Sequence, residues 1–403
     1  MKKEVIALFI CMLLMITITT VLGYPKISTG EKNFYNLPQG PTDSFINETW
    51  TKSFGHRGLD EGFSVALTSE GGFILVGCTS SRTHGPDVWL IKTDANGNII
   101  WNKTFGGKYQ DWGCSVQQTK DGGYIVTGWT NYNSNPHSGD AWLIKTDANG
   151  TMVWNRTFDY GDTEMSYYAQ QTSDGGYLTA VQSSSVVRLI KTDSSGNIVF
   201  DKRIGEGYWV LSMVETPDHD YMGLGTRNRD VWVFRTNGTG DLIWEKTYGG
   251  SGNEYGFSMV QTPDEKYVIA GETSSFGTGS VDVWVLKIDS SGNVLLNKTI
   301  GSKMFSEEAY SVKMTDDGGF IVAGTILKFG GGSWWHHFDG LLIKLDAQLN
   351  TTWTQTVSGF GNHEFYSVQQ TPDHAYIVTG LTTRFLSFNP NVLLMKTYGM
   401  VQN

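Results

Sequence analysis

The phrase Leu90-Ile91-Lys92-Thr93-Asp94 returns along the chain as Leu143-Ile144-Lys145-Thr146-Asp147, Leu189-Ile190-Lys191-Thr192-Asp193, Val233-Phe234-Arg235-Thr236-Asn237, Leu286-Lys287-Ile288-Asp289, Ile343-Lys344-Leu345-Asp346 and Met395-Lys396-Thr397. Its basic residue recurs at spacings of 53, 46, 44, 52, 57 and 52 residues. Self-similarity at that period means one supersecondary unit stacked on copies of itself, as in propellers and solenoids.

One unit reads as four short strands, residues 63–68 (a), 73–77 (b), 88–93 (c) and 99–105 (d). Strands b and c are apolar at successive positions, the pattern of strands covered on both faces. Strand d sets Ile99, Trp101 and Phe105 against Ile100, Asn102 and Thr104, the pattern of an outer edge. Asp121-Gly122-Gly123-Tyr124 and Asp174-Gly175-Gly176-Tyr177 join a to b, and Asp94-Ala95-Asn96-Gly97-Asn98 joins c to d. These are hairpin turns that use glycine for positive φ. The last repeat stops after a c strand at 392–397, whereas the first begins with a lone d strand at 50–54. The two ends are therefore predicted to complete one blade, which makes residues 48–397 an all-β, seven-bladed β-propeller with the amino-terminal strand closing the blade of 365–397.

The composition of 49 glycines and 13% aromatic residues, without a long amphipathic helical stretch, suits this reading. The formal charge is −10, and removing Lys2, Lys3 and Glu4 with residues 1–23 makes it −11. No basic patch appears, so nucleic acid is not an expected partner. Residues 1–23 run from Met1-Lys2-Lys3-Glu4 through an uncharged, mainly apolar stretch to Val21 and Gly23, as in a signal peptide. The alternative is an uncleaved membrane anchor, because the run is near the length of a spanning helix. Either way the remainder is exported: a linker at 24–47, the propeller and a tail at 398–403.

Export gives meaning to seven Asn-x-Thr sequons, at Asn47, Asn102, Asn149, Asn155, Asn237, Asn297 and Asn350. Asn102, Asn155 and Asn297 fall on strand d, and the other four at or beside c–d hairpins. Outside residues 1–23 only Cys78 and Cys114 remain, so no disulfide framework is expected. A single bridge between them and a pair of buried thiols are both compatible with their placement.

With its Asp-Gly-Gly-Tyr and Leu-Ile-Lys-Thr-Asp repeats, the chain resembles the exported β-propellers abundant among prokaryotic surface proteins, and more loosely the quinoprotein-type propellers. The resemblance covers residues 48–397 and implies the fold and an extracellular setting, but no particular activity. Asp94, Gly97 and Trp101 stand one residue closer together than the matching quinoprotein phrase. The glycine pairs Gly71-Gly72 and Gly122-Gly123 precede strand b rather than follow it as in kelch repeats. No cofactor or partner residues carry over from either family, and no cofactor is predicted.

Residues shared by all blades answer to architecture, so function is sought where blades depart from the pattern. Nine of the 14 tryptophans occupy repeat positions on strands c and d. The other five, Trp112, Trp129, Trp209, Trp334 and Trp335, fall in or beside the d–a and b–c connections, which share one face, the top. The longest connection, residues 325–339, carries Gly330-Gly331-Gly332-Ser333-Trp334-Trp335-His336-His337, a flexible run with aromatic faces suited to sugars or apolar side chains. His336 and His337 are adjacent on an extended segment and point oppositely, with no spaced ligand set, so no metal centre is predicted there. Asp60, Glu61, Asp111, Glu164, Glu254, Glu307, Glu308 and Glu364 recur just before strand a and form a predicted acidic ring. Such a ring holds a cation or a cationic group, and its members raise one another's pKa. Alternatively each acid accepts hydrogen bonds within its own blade. There is no Gly-x-Ser-x-Gly, His-Glu-x-x-His or phosphate loop.

The sequence thus predicts a secreted or cell-surface, non-catalytic protein that binds a glycan or an extracellular protein through its top face. The alternatives are an extracellular hydrolase or lyase using the carboxylates, and a structural envelope module.

Overall fold

The computed structural model of this chain describes residues 48–55, 58–80, 85–132, 139–329, 336–359, 361–383 and 389–399. The turns of the repeat explain its vocabulary. In the c–d hairpins, Asp94 Oδ1 accepts the amides of Asn96 and Asn98 at 2.9 and 2.8 Å, and Asp147, Asp193, Asp289 and Asp346 do the same in their blades. The basic residue of the repeated phrase reaches from strand c to an acid of its own blade's a–b turn. Lys145 lies 2.9 Å from Asp121, Lys344 2.8 Å from Asp317 and Lys396 2.7 Å from Asp373.

Neighbouring blades interlock through the strand-d aromatic. Trp101 packs edge-on to Tyr124 of the next blade at 5.8 Å, as Trp154 does to Tyr177 at 5.4 Å and Trp353 to Tyr376 at 5.9 Å. The same indole lies over the turn glycine of that next blade. A Cβ added to Gly150, at φ +74°, would stand 2.7 Å from the Trp101 ring, so the position requires glycine both for its φ and for the close approach.

Seven antiparallel sheets follow. Blade 1 is Asp60–Leu67, Phe73–Thr79, Asp87–Thr93 and Ile99–Phe105. Blade 2 is Gln110–Gln118, Tyr124–Tyr132, Asp140–Thr146 and Met152–Phe158. In blade 3 the inner strand is split into Glu164–Met165 and Ala169–Gln171, followed by Tyr177–Ser183, Val186–Thr192 and Ile198–Glu206. Blade 4 is Tyr208–Glu215, Tyr221–Arg227, Asp230–Thr236 and Leu242–Tyr248, and blade 5 is Glu254–Gln261, Tyr267–Thr273, Asp282–Ile288 and Val294–Ile300. Blade 6 is Ser306–Met314, Phe320–Phe329, His336–Leu345 and Thr351–Val357. Blade 7 is His363–Gln370, Tyr376–Thr383 and Pro390–Thr397, completed by Glu48–Phe54 from the amino-terminal side, with Phe54 opposite Val392. The chain is a seven-bladed, all-β propeller closed as its repeat pattern predicts.

Inner strands are also joined across blades through a recurrent serine. Ser64 Oγ accepts the amide of Val116, Ser367 Oγ that of Val65, Ser311 Oγ that of Val368 and Ser212 Oγ that of Met259, at 3.1–3.4 Å. Most inner strands bulge just before this serine, between Gly62 and Ser64 in blade 1 and between Gly256 and Ser258 in blade 5.

Cys78 and Cys114 are both free thiols, and burial pushes both pKa values up. The described sequon asparagines largely serve the repeat. Asn102, Asn155 and Asn297 accept the indole N–H of Trp89, Trp142 and Trp284 at 3.3, 3.1 and 2.7 Å. Asn237 replaces the aspartate that organises the c–d turn, and Asn350 donates to Asp346 at 2.9 Å. Asn149 is exposed in its turn, and Asn47 lies outside the described residues, as do residues 1–46.

Candidate functional site

In blade 1 the inner strand starts at Asp60 rather than at 63, and in the other blades too the acids that precede the apolar pattern stand on the strand itself. Those acids divide into two sets. Asp60, Asp111, Glu164, Glu254 and Glu307 take the first acidic position, are buried, and accept local donors. Asp60 accepts the Thr79 hydroxyl, Asp111 the Thr130 hydroxyl and the Asn131 amide, and Glu164 the Ser183 hydroxyl at 2.6 Å. Glu254 accepts Thr273 at 3.0 Å and Glu307 accepts Ser302 at 2.8 Å. These acids tie the start of the inner strand to its blade.

Glu61, Glu308 and Glu364 come one residue later, on the inner strands of blades 1, 6 and 7, which are consecutive around the ring. Glu272, on the second strand of blade 5 opposite Tyr255, joins them. The four acids form one electrostatic chain across adjacent blades. Burial pushes Glu61 up to about 8, with Glu364 and Asp60 adding to the shift. Glu364 is pushed up to about 7 by burial, opposed by a 2.8 Å hydrogen bond from the Tyr366 hydroxyl and reinforced by Glu308. Glu272 and Glu308 are a close pair whose pKa values burial also raises, and Glu308 accepts the Tyr310 hydroxyl. Near neutral pH, then, this cluster holds protons that ordinary carboxylates have lost.

At the position of Glu61, blades 2 to 5 carry Trp112, Met165, Trp209 and Tyr255 instead. Trp112 stacks on Trp129 at 5.9 Å, Trp129 meets Tyr167 at 5.6 Å, and Trp209 meets Tyr255 at 6.1 Å. Two residues further along the inner strands, half-buried rings continue around the axis. Phe257 contacts Tyr310 at 5.1 Å, Tyr310 contacts Tyr366 at 5.5 Å, Tyr366 contacts Phe63 at 5.7 Å, and Phe63 contacts Trp112 at 5.9 Å. The starts of the inner strands are therefore acidic in blades 6, 7 and 1 and mainly aromatic in blades 2 to 5, next to a row of aromatic rings in mutual contact. Trp112 and Trp129 are buried residues at the strand ends beside the d–a and b–c connections, and Trp209 is half-buried. Further down the same strand as Glu308 lies Lys313, whose pKa burial lowers.

Trp334 and Trp335 lie outside the described residues. His336 pairs with Phe329 in the strand register, and His337 Nε2 stands 2.6 Å from Asp339, which also pairs with Lys328. The sequence reading missed Glu272, Tyr310 and Tyr366, because nothing local marks them. Tyr310 and Tyr366 sit at a position that repeats as an aromatic in most blades, and so read as core.

The chain matches no known protein family, and no curated protein matches it in sequence. Solved structures match it at the level of fold. A streptogramin B lyase shares 11% identity at a TM-score of 0.57, covering 86% of this chain and 97% of its own. A catalytically inactive virginiamycin B lyase from Staphylococcus aureus, solved with quinupristin, shares 10% identity at 0.55, covering 87% and 99%. YCF48 bound to a D1 peptide shares 12% identity at 0.54, covering 90% and 99%. Propellers of this shape thus include both a lyase and a peptide-bound protein, and identities this low carry the fold alone.

Proposed function

We propose that this chain is an extracellular, non-catalytic binding module that takes a glycan or protein segment at the top end of its channel, seating a ligand ammonium group among Glu61, Glu308, Glu364 and Glu272. The observation that carries this reading is the split wall, with carboxyls on three consecutive inner strands and Trp112, Met165, Trp209 and Tyr255 on the next four. An ammonium ion offset by carboxylates and flanked by aromatic faces gains both ion pairing and cation–π attraction. YCF48 with its bound peptide supports a propeller of this shape as a peptide receptor. The signal-like residues 1–23 support export, and the Asp-Gly-Gly-Tyr and Leu-Ile-Lys-Thr-Asp repeats support membership of the exported prokaryotic propellers.

The test is an array of glycans, amino sugars included, and of lysine-containing peptides. It is probed with the wild type, with Glu61→Gln/Glu308→Gln/Glu364→Gln, and with Trp334→Ala/Trp335→Ala. The reading predicts binding that weakens at least about tenfold in a folded triple glutamine variant. The class of the bound probe separates glycan from protein segment. Binding unchanged by the triple variant but lost in the tryptophan pair would move the site to the 325–339 connection and contradict the proposal.

A further inference from the structure

The top face repeats a second arrangement at the seams between blades. The first residue of strand c of one blade lies beside the first acid of the next blade's inner strand: Asp87 by Asp111, Asp140 by Glu164, Asp230 by Glu254 and Asp282 by Glu307. At two of these seams the glycine that follows strand d passes its backbone between the two acids. A Cβ on Gly106 would stand 2.2 Å from Asp87 Oδ1 and 2.6 Å from Asp111 Oδ2, and one on Gly249 2.0 Å from Asp230 Oδ1 and 2.6 Å from Glu254 Oε2. Gly55 and Gly301 hold the same place. At the seam of blades 2 and 3 the residue there is Asp159.

Asp159 adds a third carboxylate. One oxygen each from Asp140, Asp159 and Glu164 lie within 4.8 Å of one another. Glu164 is fully buried; its Oε1 is taken by Ser183 and by the Asp162 amide, while its Oε2 has no hydrogen-bond partner. Asp140 is half-buried and Asp159 exposed, so the group opens to solvent on one side. The loop after Asp159 is pinned, because Tyr160 donates to Asp201 at 2.7 Å and lies under the Arg188 guanidinium at 4.6 Å. Burial raises the pKa of both Asp140 and Glu164, and the Asp159 charge adds a smaller push to each. The Asp282 and Glu307 seam also leaves Asp282 Oδ1 and Glu307 Oε2 unpartnered, but with Gly301 it has only two carboxylates.

We propose that Asp140, Asp159 and Glu164 bind one calcium ion at the seam of blades 2 and 3. An all-oxygen set, part buried and part open, suits a hard cation that completes its shell with water, and calcium tolerates this irregular geometry better than magnesium. Calcium there would neutralise the carboxylate crowding and cross-link two blades.

The experiment is calorimetric titration of the full chain with calcium, with magnesium as the control, together with thermal unfolding in EGTA and in calcium. The expected result is one calcium per chain with a raised melting temperature. Asp159→Asn and Asp159→Gly should each weaken binding at least about tenfold. Asp159→Gly installs the residue used at the other seams, so its melting temperature in EGTA should match or exceed that of the wild type. Asp282→Asn should leave calcium affinity unchanged. The proposal is overturned if the wild type takes up no calcium at about 10 mM, roughly tenfold above the weak end of extracellular sites near 1 mM. It is equally overturned if binding survives both Asp159 substitutions.

Discussion

At the scale of single residues, the channel carboxyls and the turn aspartates pull stability in opposite directions with pH. Glu61 and Glu364, at about 8 and about 7, bind protons more tightly folded than unfolded. Their ionisation therefore costs stability progressively as pH rises from the ordinary carboxylate value to those folded values, and no further above them. Asp121, Asp174 and Asp317, held at about 2 by their lysines and turn hydroxyls, contribute stability that is present above the ordinary value and is lost as pH falls toward 2. The melting temperature should thus fall between about pH 5 and pH 8, and Glu61→Gln with Glu364→Gln should flatten that fall by at least about 3 °C. Scanning calorimetry across that range checks it, and an unchanged slope would show that these carboxyls ionise normally. These shifts were not readable in the sequence. Glu61 is buried beside Glu364, which lies some 300 positions away, and only ring closure brings them together.

Among elements, the hairpins were legible and the start of the inner strand was not. The Asp-x-Asn-Gly turns and the strand-d tryptophans carry local signals that the structure reproduces down to the glycine beneath each indole. The inner strand begins with acids, which read as loop because a carboxylate inside a sheet is rare unless hydrogen-bonded. Here Thr79, Thr130 and Ser183 supply those bonds from the neighbouring strand. Asp159 was legible in principle: aligning the repeats sets it against Gly55, Gly106, Gly249 and Gly301. The interlock between blades gives a direct prediction. Gly150→Ala must place a methyl group in the Trp101 ring at a positive φ, and should cost about 1–3 kcal/mol in chemical denaturation. Trp101→Ala combined with Gly150→Ala should cost less than the sum of the two, because the clash disappears with the indole. Full additivity would contradict the packing described.

For the whole molecule, closure joins the first strand to the last. Glu48–Phe54 pairs with Pro390–Thr397, and Trp50 packs on Phe73 of blade 1 at 6.0 Å. Removing residues 48–54 exposes a full strand edge on blade 7 and frees the ring to open. That variant should melt well below the wild type and elute as aggregate in size-exclusion chromatography, whereas a wild-type monomer would show that closure is dispensable. The ring also makes the proposed binding site, since its acidic wall belongs to blades 5, 6, 7 and 1 and its aromatic wall to blades 2 to 5. The most direct test is therefore to titrate the best ammonium-bearing ligand from the arrays at about pH 6 and about pH 8.5, against wild type and Glu61→Gln. Because the ligand must displace protons from Glu61 and Glu364, affinity should rise at least about tenfold from the lower pH to the higher, and less steeply in the variant. Affinity that is independent of pH and indifferent to Glu61 would contradict a binding site at the acidic end of the channel.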